Sequence, residues 1–127
     1  MSHTVSALSP AELTSYRNAL KNRVITARSD VDSHLKKARE VASRAALLLK
    51  KEFGIRKVVV FGSLVQPDLF HLRSDIDLAV WELKGRDYFR AVGILQSLDP
   101  DFEVDLVVFD DASKSIQKAI LSEGKEL

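Results

Sequence analysis

Three aspartates carry the chemistry open to this sequence. Asp75 and Asp77 stand one residue apart in Ser74-Asp75-Ile76-Asp77-Leu78, and Asp105 lies in a second apolar run, Glu103-Val104-Asp105-Leu106-Val107-Val108. A strand points alternate residues to opposite faces, so Asp75 and Asp77 share a side, about 7 Å apart. Asp105 occupies the equivalent face of its own run. If the two strands are neighbours, about 4.8 Å apart, the three carboxylates converge. At about 5 Å and an effective dielectric near 20, each unneutralised pair costs roughly 3 kcal/mol. Such a cluster calls for a cation. Oxygen-only ligands suit Mg²⁺, and two ions about 4 Å apart, bridged by carboxylates, form a clamp for in-line phosphoryl or nucleotidyl transfer.

A second feature fits that chemistry. Gly62-Ser63 closes the apolar run Val58-Val59-Val60-Phe61. Glycine lets the backbone approach a phosphate closely, and free N–H groups with the serine hydroxyl can bind its oxygens. Arg73 and Ser74, directly before the acidic pair, are also within reach of phosphate. Taken singly, each motif has a bland reading: Gly-Ser is a turn, and Asp-x-Asp is a solvated strand face. The signal lies in their order along the chain.

The flanking sequence supplies elements to hold these residues. Arg56 to Phe61, Asp75 to Glu82 and Glu103 to Phe109 read as strands, the last two with clean alternation. In the second, Ile76, Leu78 and Val80 share one face, and Asp75, Asp77, Ala79 and Trp81 the other. Gly85 to Leu98 reads as a helix stopped by Asp99-Pro100. Asp110 or Asp111 is the expected cap of a final helix ending near Gly124. The fold class is α/β (α+β): a small mixed sheet with flanking helices.

The N-terminal third is helical. Ser9-Pro10-Ala11-Glu12 has the form of a capping box with proline at the first helical position. Apolar residues recur from Leu13 through Tyr16, Leu20, Val24, Ala27 and Val31 to Leu49, 36 residues in ten steps, a period of 3.6. Gly54 is the expected stop. A single helix from Pro10 to Phe53 is about 66 Å long. A compact chain of this size is about 35 Å across, so such a helix projects. Ser29-Asp30-Val31-Asp32 resembles a second capped start, and a helical hairpin therefore stands as the other reading. The segment from Val41 to Phe53 is the more apolar part and is expected on the core.

Composition sets the bounds. The chain has 127 residues, 46% hydrophobic and 29% charged, as in a globular protein. It is expected to form one domain, with residues 1–54 a helical extension and 55–127 the catalytic core. The net charge of +1 hides an asymmetry: residues 1–52 carry +5 and the remainder −4. There is no cysteine, which excludes disulfides and thiolate metal sites. The polar stretch Met1 to Ser9 has no signal-peptide character, and no apolar run is long enough to span a bilayer. The expected setting is cytoplasmic, with no membrane partner.

The segment "VVVFGSLVQPDLFHLRSDIDLAV" together with "FEVDLVVF" resembles the minimal nucleotidyltransferases (MNT, or MntA, type) of the DNA polymerase beta superfamily. The likeness covers Lys57 to Phe109, and the closing "AILSEGKEL" is similar to the family's last helix. The chain departs from relatives that continue Gly-Ser with an Arg- and Ala-rich segment; it has Leu64-Val65-Gln66-Pro67. The resemblance implies a polymerase-beta-like core. It implies that Gly62 and Ser63 hold the nucleotide triphosphate, that Asp75 and Asp77 bind two Mg²⁺ ions, and that Asp105 completes the metal site and activates the attacking hydroxyl. It further implies the antitoxin of a toxin–antitoxin pair, transferring AMP from ATP to a hydroxyl, commonly a tyrosine, of a HEPN-type ribonuclease toxin.

The long basic N-terminal helix gives a physical reason to expect that protein partner; a self-packed hairpin is its bland counterpart. Two other functions stay in view. One is a non-catalytic binding antitoxin. The other is a small-molecule, aminoglycoside-type nucleotidyltransferase, disfavoured because no room remains after Asp105 for an acceptor domain. Nucleic-acid polymerisation is disfavoured on the same ground. His3, His34 and His71 show no metal-ligand spacing and are expected in solvent. Trp81 reads as a packing residue. The apolar loop of Leu64, Val65, Pro67, Leu69 and Phe70 is expected to cover nucleotide, meet the partner or pack beneath itself.

Overall fold

The computed structural model describes residues 9–127, without the side chains of residues 22 and 24–27. The expectations for Met1 to Leu8, His3 among them, and for the Val24 and Ala27 side chains lie outside the described residues. The elements run α1 (Pro10–Phe53), β1 (Val58–Phe61), β2 (Ile76–Val80), α2 (Gly85–Gln96), β3 (Val104–Val108), α3 (Lys114–Glu123) and β4 (Lys125–Glu126).

The first helix is continuous over 44 residues. The Ser9 side chain accepts from the Glu12 N–H, the Glu12 carboxylate accepts from the Ser9 N–H, and Gly54 closes the helix at φ 65°. Only its second half enters the core: Ala38, Val41, Ala42, Ala45, Ala46 and Leu49 are buried. Toward the N-terminus the stripe is open, with Tyr16 53% and Leu20 42% exposed. The helix therefore projects, and the hairpin reading is corrected. Ser29 and Asp30 could cap a new start, but no proline or glycine interrupts the chain there and the apolar stripe keeps its period across them.

The sheet has the order β3-β2-β1-β4. β1 runs antiparallel to β2 and to β4, while β2 and β3 are parallel and joined through α2. Parallel neighbours need such a crossover. One sheet face buries Val58, Val60, Ile76, Leu78, Val80 and Leu106 against α1 and the Ala91 and Leu95 side of α2. The other carries a smaller cluster of Val59, Phe61, Ala79 and Ile120 of α3, with Trp81, Val107 and Phe109 against it. By alternation Asp77 and Asp105 fall on this second face, beyond the part that α3 covers.

Three local readings change. Asp110 and Asp111 belong to a 3₁₀ turn over Phe109–Asp111, and Ser113 caps α3 by accepting from the Ile116 N–H. β4 is a fourth strand with no strand-like alternation in its two residues. His34 is half-buried against aromatic rings, not in solvent. In the loop after β1, Leu64 and Phe70 are buried in the main core, Val65 is partly buried, and Pro67 and Leu69 are exposed. No described helix is long and apolar enough to cross a membrane.

The contrast along α1 makes a prediction. Leu49→Ala, at a fully buried position, is expected to cost about 3 kcal/mol. Tyr16→Ala on the projecting half is expected to cost less than about 0.5 kcal/mol. Urea unfolding of the isolated chain measures both.

Candidate active site

The register of the sheet assembles the site. Asp77 lies opposite Asp105 across the parallel β2–β3 pair and opposite Phe61 across the antiparallel β1–β2 pair. Asp75 precedes β2 by one residue, on the side of Asp77. The expected adjacency of the two carboxylate strands is thus present. Phe61 ends β1, and the chain turns at once through a 3₁₀ segment, Gly62–Val65. Gly62 has φ +74°, and a Cβ built there would collide with Asp77 Oδ2. Both facts demand glycine: the backbone conformation is one that other residues rarely adopt, and the missing side chain leaves room for a carboxylate.

The electrostatics follow. Burial, then the nearby Asp105 and Asp75 charges, push the Asp77 carboxyl up to about 6. Asp105 is also raised, by burial first and then by Asp75 and Glu103. Both carboxyls hold their protons more tightly than usual, first because burial penalises the charge and then because neighbouring acids repel it. Among the described residues no three or more His, Cys, Asp or Glu side chains stand together as a group that could hold a metal ion. The donor set nevertheless fits Mg²⁺ in its chemistry: oxygen ligands only, on a partly open face, in a potential that a cation relieves.

The other expected residues lie around this centre. Ser63 follows Gly62 and is half-buried; its carbonyl accepts from the Gln66 N–H at 3.2 Å. Ser74 is buried, and its Oγ accepts from the His71 N–H at 2.9 Å. His71 Nδ1 accepts from the Arg73 N–H at 3.1 Å. These bonds fix the loop that delivers Asp75. Arg73 is exposed and forms no ion pair among the described residues. Trp81 stacks on Phe109 at 5.1 Å, with Lys57 Nζ 4.9 Å from its ring, as a packing residue.

Comparison with known proteins places this geometry. The sequence pattern described as "Polymerase beta, Nucleotidyltransferase" matches residues 45–127. The chain belongs to the polymerase beta nucleotidyltransferase family. The match takes in the sheet, the three carboxylates and only the last turns of α1, from Ala45; it leaves the rest of that helix outside. No curated protein is significantly similar in sequence. Among solved structures the chain is similar to a toxin–antitoxin complex, MntA–HpeT, carrying two Asp-to-Glu substitutions, at 26% identity and a TM-score of 0.56, covering 67% of this chain and 70% of that one. It is also similar to a toxin–antitoxin structure with AMP-PNP, at 27% identity and a TM-score of 0.54, covering 65% and 69%. A third, the tri-AMPylated HEPN toxin of Shewanella oneidensis with its MNT antitoxin, shares the fold at 24% identity and a TM-score of 0.53, covering 70% of each chain. The chain is an MNT-type nucleotidyltransferase.

The raised Asp77 carboxyl has a measurable consequence. Below about pH 3 it is protonated both folded and unfolded and adds no difference. From the ordinary aspartate range up to its folded value of about 6, the unfolded chain has released this proton while the folded chain keeps it, so stability falls across that window and the loss is complete above it. Without metal, Asp77→Asn is therefore expected to raise the melting midpoint by a few degrees at about pH 7.5 and to leave it unchanged at about pH 3. Scanning calorimetry in a chelating buffer measures the difference. A lower midpoint at neutral pH would contradict the assignment.

Proposed function

We propose that this nucleotidyltransferase is the antitoxin of a toxin–antitoxin pair and moves AMP from ATP to a hydroxyl, in the family pattern a tyrosine, of a HEPN-type ribonuclease toxin. One observation carries the reading: Asp77 stands in register with Asp105 and against the Gly62 turn, inside a family whose chemistry is nucleotidyl transfer. The AMP-PNP complex of a similar toxin–antitoxin structure supports ATP as the donor. A cytoplasmic setting belongs to the same reading.

Each residue then has a role. Asp75, Asp77 and Asp105 are the residues that would hold two Mg²⁺ ions. Bound there, Mg²⁺ neutralises the triphosphate and the departing pyrophosphate. Gly62 brings backbone close to the phosphates, and Ser63 binds them through its N–H and hydroxyl. Arg73 supplies positive charge at the site mouth, and Ser74 contributes by fixing the loop. Asp105, the most open of the three carboxylates, takes the proton of the acceptor hydroxyl. That oxygen bonds to the α-phosphorus, the bond to the β-phosphate oxygen breaks, and pyrophosphate leaves.

The projecting half of α1 is the proposed partner-binding element. Leu13, Tyr16 and Leu20 line its stripe, flanked by exposed Arg17, Lys21, Arg23 and Arg28. An apolar stripe bordered by one sign of charge selects a partner by complementarity. Deleting residues 1–28 is expected to weaken toxin binding by at least about ten-fold in a calorimetric titration while the sheet core stays folded; equal affinity would reject this role.

Intact-mass spectrometry tests the activity. The chain is incubated with ATP, Mg²⁺ and its HEPN partner. The expected result is a partner heavier by one or more AMP groups, with none from Asp75→Ala, Asp77→Ala or Asp105→Ala. Transfer surviving in these variants would overturn the site assignment. A tight complex without added mass would make the chain a binding-only antitoxin, and neither mass nor complex would direct attention to small-molecule acceptors.

A further inference from the structure

We infer that one turn of α1, His34 to Lys37, is a clamp that sets the spacing of the two carboxylate strands, so that His34 and Lys37 are positioning residues for the cation site. The inference rests on the reading of Asp75, Asp77 and Asp105 as that site.

The geometry is specific. The His34 ring lies flat against Phe102, with centroids 4.4 Å apart and planes 28° apart. Phe70 also lies near the His34 ring, tilted at 5.7 Å and 34°. Phe102 is three residues before Asp105, and Phe70 is five before Asp75; both are buried. Close by, Lys37 Nζ lies 2.7 Å from Asp101 Oδ2 and 3.7 Å from Asp99 Oδ2. The Asp101 N–H in turn donates to Asp99 Oδ1 at 2.9 Å. One helical turn thus touches both loops that enter the carboxylate strands, from a helix seated in the core just beyond, at Ala38 and Val41.

A clamp is needed there. The β2–β3 contact opens with one backbone bond, the Ile76 N–H to the Glu103 carbonyl, at 2.9 Å. Immediately around it stand Asp75, Asp77, Glu103 and Asp105, all of one sign, which drives the strand entrances apart. Stacked rings resist that motion because their contact is short-ranged and requires close approach. The ion pair of Lys37 adds less, since Lys37 is largely exposed.

His34 also carries a cost. Its Nε2 is buried and has no hydrogen-bond partner among the described residues. A phenylalanine in its place keeps the stack and removes the unpaired nitrogen. The pair of variants His34→Ala and His34→Phe therefore separates ring packing from imidazole chemistry.

The test is calorimetric titration of Mn²⁺, without nucleotide, into the full chain and into His34→Ala, His34→Phe, Lys37→Met and Asp77→Asn. It is run at a temperature where circular dichroism shows every variant folded. His34→Ala is expected to weaken Mn²⁺ binding about ten-fold, the scale of lost outer-shell support. His34→Phe is expected to restore wild-type affinity, and Lys37→Met to show a smaller loss. A residue with only a structural role would lower the melting midpoint and leave the affinity alone. Wild-type affinity in His34→Ala, or a loss in His34→Phe as large as in His34→Ala, overturns the clamp. If His34→Ala does not fold, Lys37→Met decides, and unchanged affinity there overturns it. Should wild type and Asp77→Asn both fail to bind Mn²⁺, the cation reading itself falls and takes the clamp with it.

Discussion

The structure turns on holding like charges together. Asp77 and Asp105 face each other across a parallel strand pair, Asp75 stands beside them, and none has a cationic partner among the described residues. Their repulsion is opposed by the sheet: Val58, Val60, Leu78, Val80 and Leu106 bury one face so fully that the register cannot slip. A shift of one residue would turn every core side chain to the other face. The large core on one side of the sheet therefore fixes a small, strained constellation on the other. The rest of the site follows from this. Gly62 leaves room for the Asp77 carboxylate, and Ser74 ties down the loop that brings in Asp75.

The helix α1 joins two scales of the molecule. Its C-terminal half is core, its middle touches the loops that deliver the carboxylates, and its N-terminal half reaches out with Tyr16 and Leu20 open. A continuous helix spanning all three connects the exposed Tyr16 and Leu20 stripe to the loops that deliver the carboxylates. The sequence pattern of the family begins at residue 45, so the reach of this helix is a feature of the present chain beyond the matched region.

Much of this was legible in the sequence, for reasons particular to each element. The alternation in β2 and β3 declares which face carries the acids, since Ile76 and Leu78 must be inside. The Ser9–Glu12 capping box and Gly54 mark both ends of α1. What stayed hidden depends on contacts far apart in the chain. His34 shows no sign that Phe70 and Phe102 will pack against it. Ser113 loses to Asp110 and Asp111 as an expected cap, because the intervening 3₁₀ turn has no pattern of its own. β4 is two residues long and exists because β1 offers it an edge. Within α1, Ser29 and Asp30 are weak evidence against a stripe that keeps its period.

If Asp77 faces a cation, the burial and neighbouring charges that raise its proton affinity also make it respond to that cation. Carbon-13 NMR of the aspartate carboxyls tests this directly, with the pH titration followed first in chelator and then in saturating Mg²⁺. The account predicts that Asp77 titrates at about 6 without metal. It predicts a fall toward or below the ordinary aspartate range once Mg²⁺ is present, because a bound cation favours the charged form. An Asp77 titration that Mg²⁺ leaves in place would contradict it.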